Sequence, residues 1–279
     1  MLRLLRTEMT KQLRRPRTWV AFAFVVVVPI IIAVALKLNP PEIGSGGGGR
    51  GGEGPGRVFF QLATQSGLLL PAAALRVMSN FFLVVIFCAF FGDAIASEAG
   101  WGNLRFMLTR PVARSRLLVA KLLTAGILSA VAAALITLSG LAAGGIVFGF
   151  HRVNVPLLGV SQSVGDLLGH LALATVLAAW GITGIAAFAF MLSTMSDNAT
   201  GAIFGAVGFY VVTSILGAID SIGPIRYGFP TFYGGAWSEL FISGRVTDDM
   251  WRDLLLQLPY LAVSLGIAFW WFRRKDVNS

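Results

Sequence analysis

The sequence predicts an all-α integral membrane protein with six transmembrane helices, preceded by a helix that lies in the membrane interface. The chain of 279 residues is 56% hydrophobic and 13% charged, which is about half the charged fraction of a soluble domain. Its long apolar stretches are continuous, whereas the strands of a membrane barrel alternate apolar and polar residues. A single cysteine, Cys88, excludes a disulfide framework.

The first 17 residues predict a basic amphipathic helix. At the helical period, Leu2, Leu5, Met9 and Leu13 share one face. The basic residues of this segment are Arg3, Arg6, Lys11, Arg14, Arg15 and Arg17. This pattern is typical of a helix in the membrane interface, although the same charges could serve only to hold the N-terminus on one side of the bilayer.

Six stretches approach the 20 or so apolar residues that cross a bilayer. The predicted spans cover about residues 19–38, 77–97, 120–149, 167–192, 199–221 and 254–272. The first is longer than the apolar core of a cleavable signal peptide. Residues 39–76 are expected to form a glycine-rich loop outside the cell. We interpret the loop as a flexible linker because it lacks the Gly-Lys-Ser/Thr end of a phosphate loop.

The basic residues predict the orientation of these spans. An even number of spans places both termini on one side, and that side carries 14 of the 22 Lys and Arg residues. The positive-inside rule assigns it to the cytoplasm, so we expect a multi-pass protein of the cell membrane. The net charge of +9 then lies wholly on the cytoplasmic face. It indicates topology, contact with anionic lipids and a protein partner rather than nucleic acid.

Two further features of the spans are candidates for function. Small residues repeat four positions apart in the pairs Gly140 and Gly144, and Gly201 and Gly205. Such pairs let helices approach closely, within one subunit or between two. Asp93 lies inside the second predicted span, whereas the other acidic residue within the predicted bounds, Asp220, lies at the end of the fifth. An acid inside a span marks a functional position by default, but we favour placement of Asp93 at the interface beside the basic loop that follows.

The loop at residues 98–119, between the second and third spans, is the most informative segment. Leu104, Met107 and Leu108 form a helical stripe, and Pro111 ends that short helix. A second helix is expected to begin near Ser115. The basic residues in and after the loop are Arg105, Arg110, Arg114, Arg116 and Lys121. Contact with lipid and membrane topology are the alternative explanation for these charges.

This segment resembles the ABC-2 type permeases, the membrane subunits of one class of ATP-binding-cassette transporter. Their usual pattern after the second span is a Glu, then Gly-Thr-Leu, a short apolar helix, Pro-Val-x-Arg, and a Lys that opens the third span. The matching residues, in order, are Glu98, Gly102, Leu104, Leu108, Pro111, Val112, Arg114 and Lys121. Asn103 stands where Thr is usual, and both residues are good helix N-caps. The basic N-terminal helix and the six-span layout extend the resemblance to nearly the whole chain.

The resemblance implies that residues 98–119 hold a cytoplasmic coupling helix, which docks on a separate ATPase subunit. It implies a permease dimer, built of like or unlike subunits, that exports a substrate. ATP and magnesium would be bound by the partner, because the sequence has no nucleotide, metal or catalytic motif of its own. Two other functions stay open, namely an ion-coupled secondary transporter and a membrane scaffold or sensor. The cargo cannot be read from the sequence.

Overall fold

The computed structural model describes residues 1–40, 60, 63–64, 66–100, 113–150, 154–155, 160–161 and 164–274. Nearly all of them are helical. The helices are α1 (Leu2–Leu13), α2 (Pro16–Leu38), α3 (Leu70–Ser79), α4 (Phe82–Gly100), α5 (Arg114–Phe148), α6 (Val164–Trp180), α7 (Thr183–Met195), α8 (Ala199–Gly217), α9 (Leu240–Ser243) and α10 (Asp248–Arg274). Short 3-10 helices cover Gly67–Leu69, Asp220–Gly228 and Ala236–Glu239. Two-residue strands, β1 (Asn154–Val155) and β2 (Val160–Ser161), pair in an antiparallel hairpin.

The predicted all-helical class is confirmed, and the structure has five candidate membrane-crossing helices, or up to six, where six were predicted. Five segments are long and apolar enough to cross a bilayer: Pro16–Leu38, Arg114–Phe148, Val164–Met195, Ala199–Gly217 and Asp248–Arg274. A sixth arises if the pair Gly67–Ser79 and Phe82–Glu98, which is bent by 59°, is counted as one crossing. The observed helices begin or end a few residues away from the predicted spans, because charged residues such as Arg114 and Asp248 extend them beyond the apolar runs.

The second predicted span differs most from the observed structure. The predicted span at 77–97 is preceded by a further helical stretch, since residues 67–79 form a 3-10 turn and α3 rather than the end of a loop. The predicted loop at 39–76 is therefore too long. Pro71 occupies the first turn of α3, where proline is favoured. A break at Asn80 and Phe81 then separates α3 from α4.

The fourth predicted span, 167–192, is also not one continuous helix. α6 ends at Trp180 and α7 begins at Thr183, with a break at Gly181 and Ile182. Two polar side chains of α10 lie at this break. A Cβ atom on Gly181 would lie 2.8 Å from Oδ2 of Asp253, and one on Gly184 would lie 2.5 Å from Oε1 of Gln257. Glycine at both positions leaves room for these side chains.

Close backbone packing joins α3 to α5. A Cβ atom on Gly144 would lie 2.2 Å from the carbonyl oxygen of Gly67, and one on Gly140 would lie 2.8 Å from Cα of Pro71. The predicted glycine pair of α5 therefore lies against another segment of the same chain. In α8, a Cβ on Gly205 would lie 3.0 Å from Leu192, whereas Gly201 is exposed and near only its own helix cap, Asn198.

The helices leave two distinct ends of the bundle, which we name the α1 end and the loop end. At the α1 end, α1 lies beside the end of α4 and the start of α5, and Arg114 donates to the Arg273 carbonyl oxygen of α10 at 3.3 Å. At the loop end, the 220–243 segment packs on α10, where Tyr260 donates to the Gly228 carbonyl oxygen at 2.8 Å.

Candidate functional site

The α1 end brings together seven charged side chains from α1, α2, α4 and α5. We call them the α1-end network. Its members are Glu8, Lys11, Arg15, Arg17, Asp93, Glu98 and Lys121. All three carboxylates and Lys121 are at most 4% exposed. Burying a charged group is costly unless it is paired. Here each of the three acids is paired with at least one of the four cations.

Lys121 joins three helices within this network. Its Nζ atom lies 2.6 Å from Oε2 of Glu98 on α4 and 3.1 Å from Oε2 of Glu8 on α1. Lys11 on α1 binds the other carboxylate oxygen of Glu98. The residues therefore form a continuous chain, Glu8–Lys121–Glu98–Lys11, in which each of the two inner residues has two partners. Removing one member of such a buried set leaves an unpaired charge.

Asp93 forms the second half of the network. Arg17 binds both of its carboxylate oxygens through both terminal guanidinium nitrogens, a bidentate pairing with strict geometry. NH1 of Arg15 lies 2.6 Å from Oδ2 of the same carboxylate. Asp93 is thus buried at the α1 end, and the cationic partners that the structure describes for it come from the junction of α1 and α2.

The loop predicted to hold the coupling helix lies mostly outside the described residues. This applies to the predicted site residues Gly102, Leu104, Arg105, Leu108, Arg110 and Pro111. Its flanks are described. Glu98 stands near the end of α4, Arg114 is the first residue of α5, and Lys121 follows two turns later. The Glu98–Lys121 ion pair therefore joins the helices on either side of this loop.

The remaining predicted basic residues face outward. Arg3, Arg6 and Arg14 on α1 are exposed, as is Arg116 on α5. A shallow depression of about 510 Å³ on α1 is lined by Arg6, Thr7, Thr10, Lys11 and Arg14. The inward face of α1 thus carries Glu8, and its outward face is basic.

A second polar group lies at the loop end, where Gln257 of α10 links three parts of the chain. Its Nε2 donates to Oδ1 of Asp253 and to the Pro230 carbonyl oxygen, both at 3.0 Å. Its Oε1 accepts from the Gly184 backbone N–H at 3.2 Å, in the first turn of α7. Gln257 therefore ties the break between α6 and α7 to α10 and to the loop that covers it.

Both helix breaks meet at one small polar cavity of about 70 Å³ next to this group. Its lining includes Asn80 from the break between α3 and α4, Gly181 from the break between α6 and α7, and Thr231 from the covering loop. Tyr210 also lines it and donates to the Asn80 carbonyl oxygen.

An apolar groove of about 510 Å³ runs between α5 and α6. α5 contributes Gly126, Ala130 and Ala134, and α6 contributes Ala172 and Val176. This volume lies within the range of small-molecule sites, and the lining suits an apolar guest. Within the described part of the chain, no group of three or more His, Cys, Asp or Glu side chains is placed to hold a metal ion.

The comparison that decides family membership is a match over residues 57–278 to the family described as "Protein of unknown function (DUF2705)". The chain belongs to the DUF2705 family. No curated protein matches the chain.

The DUF2705 match divides the α1-end network. It includes Asp93, Glu98 and Lys121 but not α1 or α2, which supply the other four members. The loop-end group, with Asp253 and Gln257, lies wholly within the DUF2705 region.

Sequence reasoning missed several members of both sites. Glu98 was expected to cap a helix or to pair with Arg105 or Arg114. The structure pairs it with Lys11 and Lys121, and Arg105 lies outside the described residues. Glu8 was not singled out, although it is the only acidic residue among the first 17, which was an available signal. Asp253 was missed because the sixth span was predicted to begin one residue later.

Proposed function

We propose that this chain is the membrane-spanning permease subunit of an ATP-binding-cassette transporter of the ABC-2 type. A separate ATPase subunit drives it, and it exports a substrate across the cell membrane. Two permease subunits form the transporter, and the loop between α4 and α5 carries the coupling helix that docks on the ATPase. In this proposal six spans cross the membrane, and the α1 end faces the cytoplasm.

The observation that carries the proposal is the buried ion pair between Glu98 and Lys121. These are the first and last residues of the segment that resembles the permeases, and they lie 2.6 Å apart on the helices that flank the loop. Glu8 and Lys11 attach α1 to the same pair. A force applied to the loop by a docked partner would therefore move the ends of α1, α4 and α5 as one body, which is the way packed elements pass on conformational change.

The charge distribution at the α1 end supports the same function. Arg3, Arg6 and Arg14 are exposed on α1 and Arg116 on α5, whereas the acids of the network are buried. The exposed surface is therefore strongly basic. It suits both the anionic lipids of the cytoplasmic leaflet and acidic side chains on an ATPase.

One observation favours the alternative of an ion-coupled secondary transporter. Such proteins have broken helices and buried charges within the membrane. Here both helix breaks line one polar cavity, and the buried Asp253 lies beside Gly181. The need for ATP separates the two functions, because a secondary transporter works with ion gradients alone.

Co-expression with an ATP-binding-cassette ATPase encoded beside this chain tests the permease proposal. We expect the two to purify as a stable complex that hydrolyses ATP, and the chain alone to hydrolyse none. The matched control replaces residues 101–112 with a Gly/Ser linker of equal length, which keeps the flanking helices and removes the coupling helix. This variant should insert into the membrane but lose the ATPase. Equal binding of the ATPase by both forms, or by neither, would contradict the proposal.

A further inference from the structure

Asp253 differs from every other buried acid that the structure describes. Asp93, Glu98 and Glu8 are each paired with at least one cation. Asp253 is also buried, with 6% of its surface exposed, yet within the described ranges no cation pairs with it. Its hydrogen-bond donor is the amide Nε2 of Gln257, at 3.0 Å.

The charged and titratable groups on the surrounding elements do not supply a cationic partner for Asp253. They are Arg76 on α3, Asp166 and His170 on α6, Asp220, Arg226, Tyr227, Tyr233 and Glu239 on the covering segment, Arg245 in the turn before α10, and Asp248, Asp249, Arg252 and Tyr260 on α10 itself. α7 has no titratable side chain. Arg226 binds Asp220 and Arg252 binds Asp249. Arg76 lies against Gly235, and neither it nor Arg245 forms an ion pair with Asp253 in the described part of the chain.

The position of Asp253 makes its charge costly. It precedes Arg273 by 20 residues, which is about 30 Å along a helix and about the thickness of the hydrocarbon core. Asp253 therefore lies near the boundary of the hydrocarbon core that is opposite the α1 end, and the 220–243 segment covers it. A desolvated carboxylate without a cation does not stay ionised but takes up a proton instead.

We propose that Asp253 is a proton-binding site, and that its carboxyl is protonated while the loop end is packed as in this structure. The neutral form suits the surroundings, because Oδ1 still accepts from Gln257 and Oδ2 lies against Gly181, where a Cβ atom would stand 2.8 Å away. The negative form would draw water into the helix break and loosen the contact between α10 and the covering loop. Proton binding thus regulates the opening of the loop end.

This proton site goes beyond the proposed permease function, because a transporter driven by ATP does not require one. It also does not depend on that function. A failure of the ATPase to bind would leave Asp253 buried and without a cation, and absence of the proton would leave the Glu98–Lys121 pair unchanged.

Infrared spectroscopy of the full-length protein in lipid nanodiscs tests for the proton. A protonated carboxyl has a carbonyl stretch that is distinct from the bands of carboxylates and peptide groups. We expect this band in the wild type at about pH 5, where an ordinary aspartic acid is already ionised, its loss in Asp253→Asn, and its retention in Asp249→Asn. Asp249 is the matched control because it lies on the same helix but is exposed and paired with Arg252. Absence of the band from the wild type, or its retention in Asp253→Asn, would overturn the proposal.

A second measurement covers the case in which Asp253→Asn does not fold. If the folded chain holds a proton that the unfolded chain releases, the melting temperature must fall as the pH rises through the titration of the site. We expect this fall in the wild type and in Asp249→Asn as the pH rises from about 4, the ordinary pKa of an aspartic acid in an unfolded chain, to about 7. A melting temperature that is constant across this range in both proteins would overturn the proposal without use of the Asp253 variant.

Discussion

The Nζ atom of Lys121 lies 2.6 Å from Oε2 of Glu98, so the helices on the two sides of the 101–112 segment are directly paired. Both residues are buried, and Glu8 completes the arrangement from α1. A lysine that balances two buried carboxylates cannot be removed without leaving a net negative charge in a desolvated position. The stability of the α1 end should therefore depend on this one side chain.

Lys121→Met tests this dependence. It keeps the length and apolar stem of the side chain but removes the charge from between Glu8 and Glu98. We expect a loss of about 3–5 kcal/mol of stability, the usual cost of breaking a buried ion pair from one side, measured as a lower melting temperature of the purified protein in detergent. Lys37→Met at the exposed end of α2 is the control and should melt like the wild type.

A double variant separates the ion pair from the packing of its side chains. Glu98→Gln in the Lys121→Met background removes one of the two carboxylates that lose Lys121 in the first change. We expect the double variant to be more stable than the sum of the two single losses predicts, because residues in contact are coupled. Strict additivity of the two losses would show that Glu98 and Lys121 do not interact in the folded protein.

Arg17 offers a test of geometry at nearly constant charge. Its guanidinium group binds both oxygens of Asp93, which a lysine cannot reproduce. We expect Arg17→Lys to lower stability by about 1 kcal/mol, the modest size reflecting that 47% of the Arg17 side chain is exposed. Arg14→Lys, on the exposed face of α1, is the matched control and should leave the melting temperature unchanged. Equal losses in the two variants would contradict a bidentate role for Arg17.

The sequence predicted the helical class and the α1 end better than it predicted the loop end, for physical reasons. Apolar runs long enough to cross a membrane are a one-dimensional signal, and they located most helices. Pairing between Glu98 and Lys121 is a long-range contact that spacing along the chain does not encode. The breaks at Asn80 and at Gly181 were missed because both lie inside apolar runs. The α10 side chains that lie against Gly181 and Gly184 are again long-range contacts.

Gly144 tests the close packing of α3 on α5. A Cβ atom there would lie 2.2 Å from the backbone carbonyl oxygen of Gly67, and a backbone atom cannot turn aside as a side chain can. We therefore expect Gly144→Ala to destabilise the protein strongly, because the two helices must separate. Gly126→Ala on the same helix is the control, since a Cβ atom there would meet nothing within 4 Å. It should be neutral or stabilising, because alanine favours a helix over glycine by up to about 1 kcal/mol.

The proposed coupling role of the α4–α5 loop can be tested in the proposed complex with an ATPase. Arg114 lies at the start of α5 and donates to the carbonyl oxygen of Arg273 at 3.3 Å, so it joins the loop flank to α10 without belonging to the buried network. We expect Arg114→Ala to keep the ATPase bound and hydrolysing ATP, while the ATP-dependent change in amide hydrogen exchange of α4 and α5 is lost. Glu98→Ala should lose the same change, together with stability. Arg245→Ala at the loop end is the control, and its complex should respond to ATP like the wild type. An unaltered exchange response in Arg114→Ala and Glu98→Ala would remove this loop from the mechanism, even if the ATPase still binds to it.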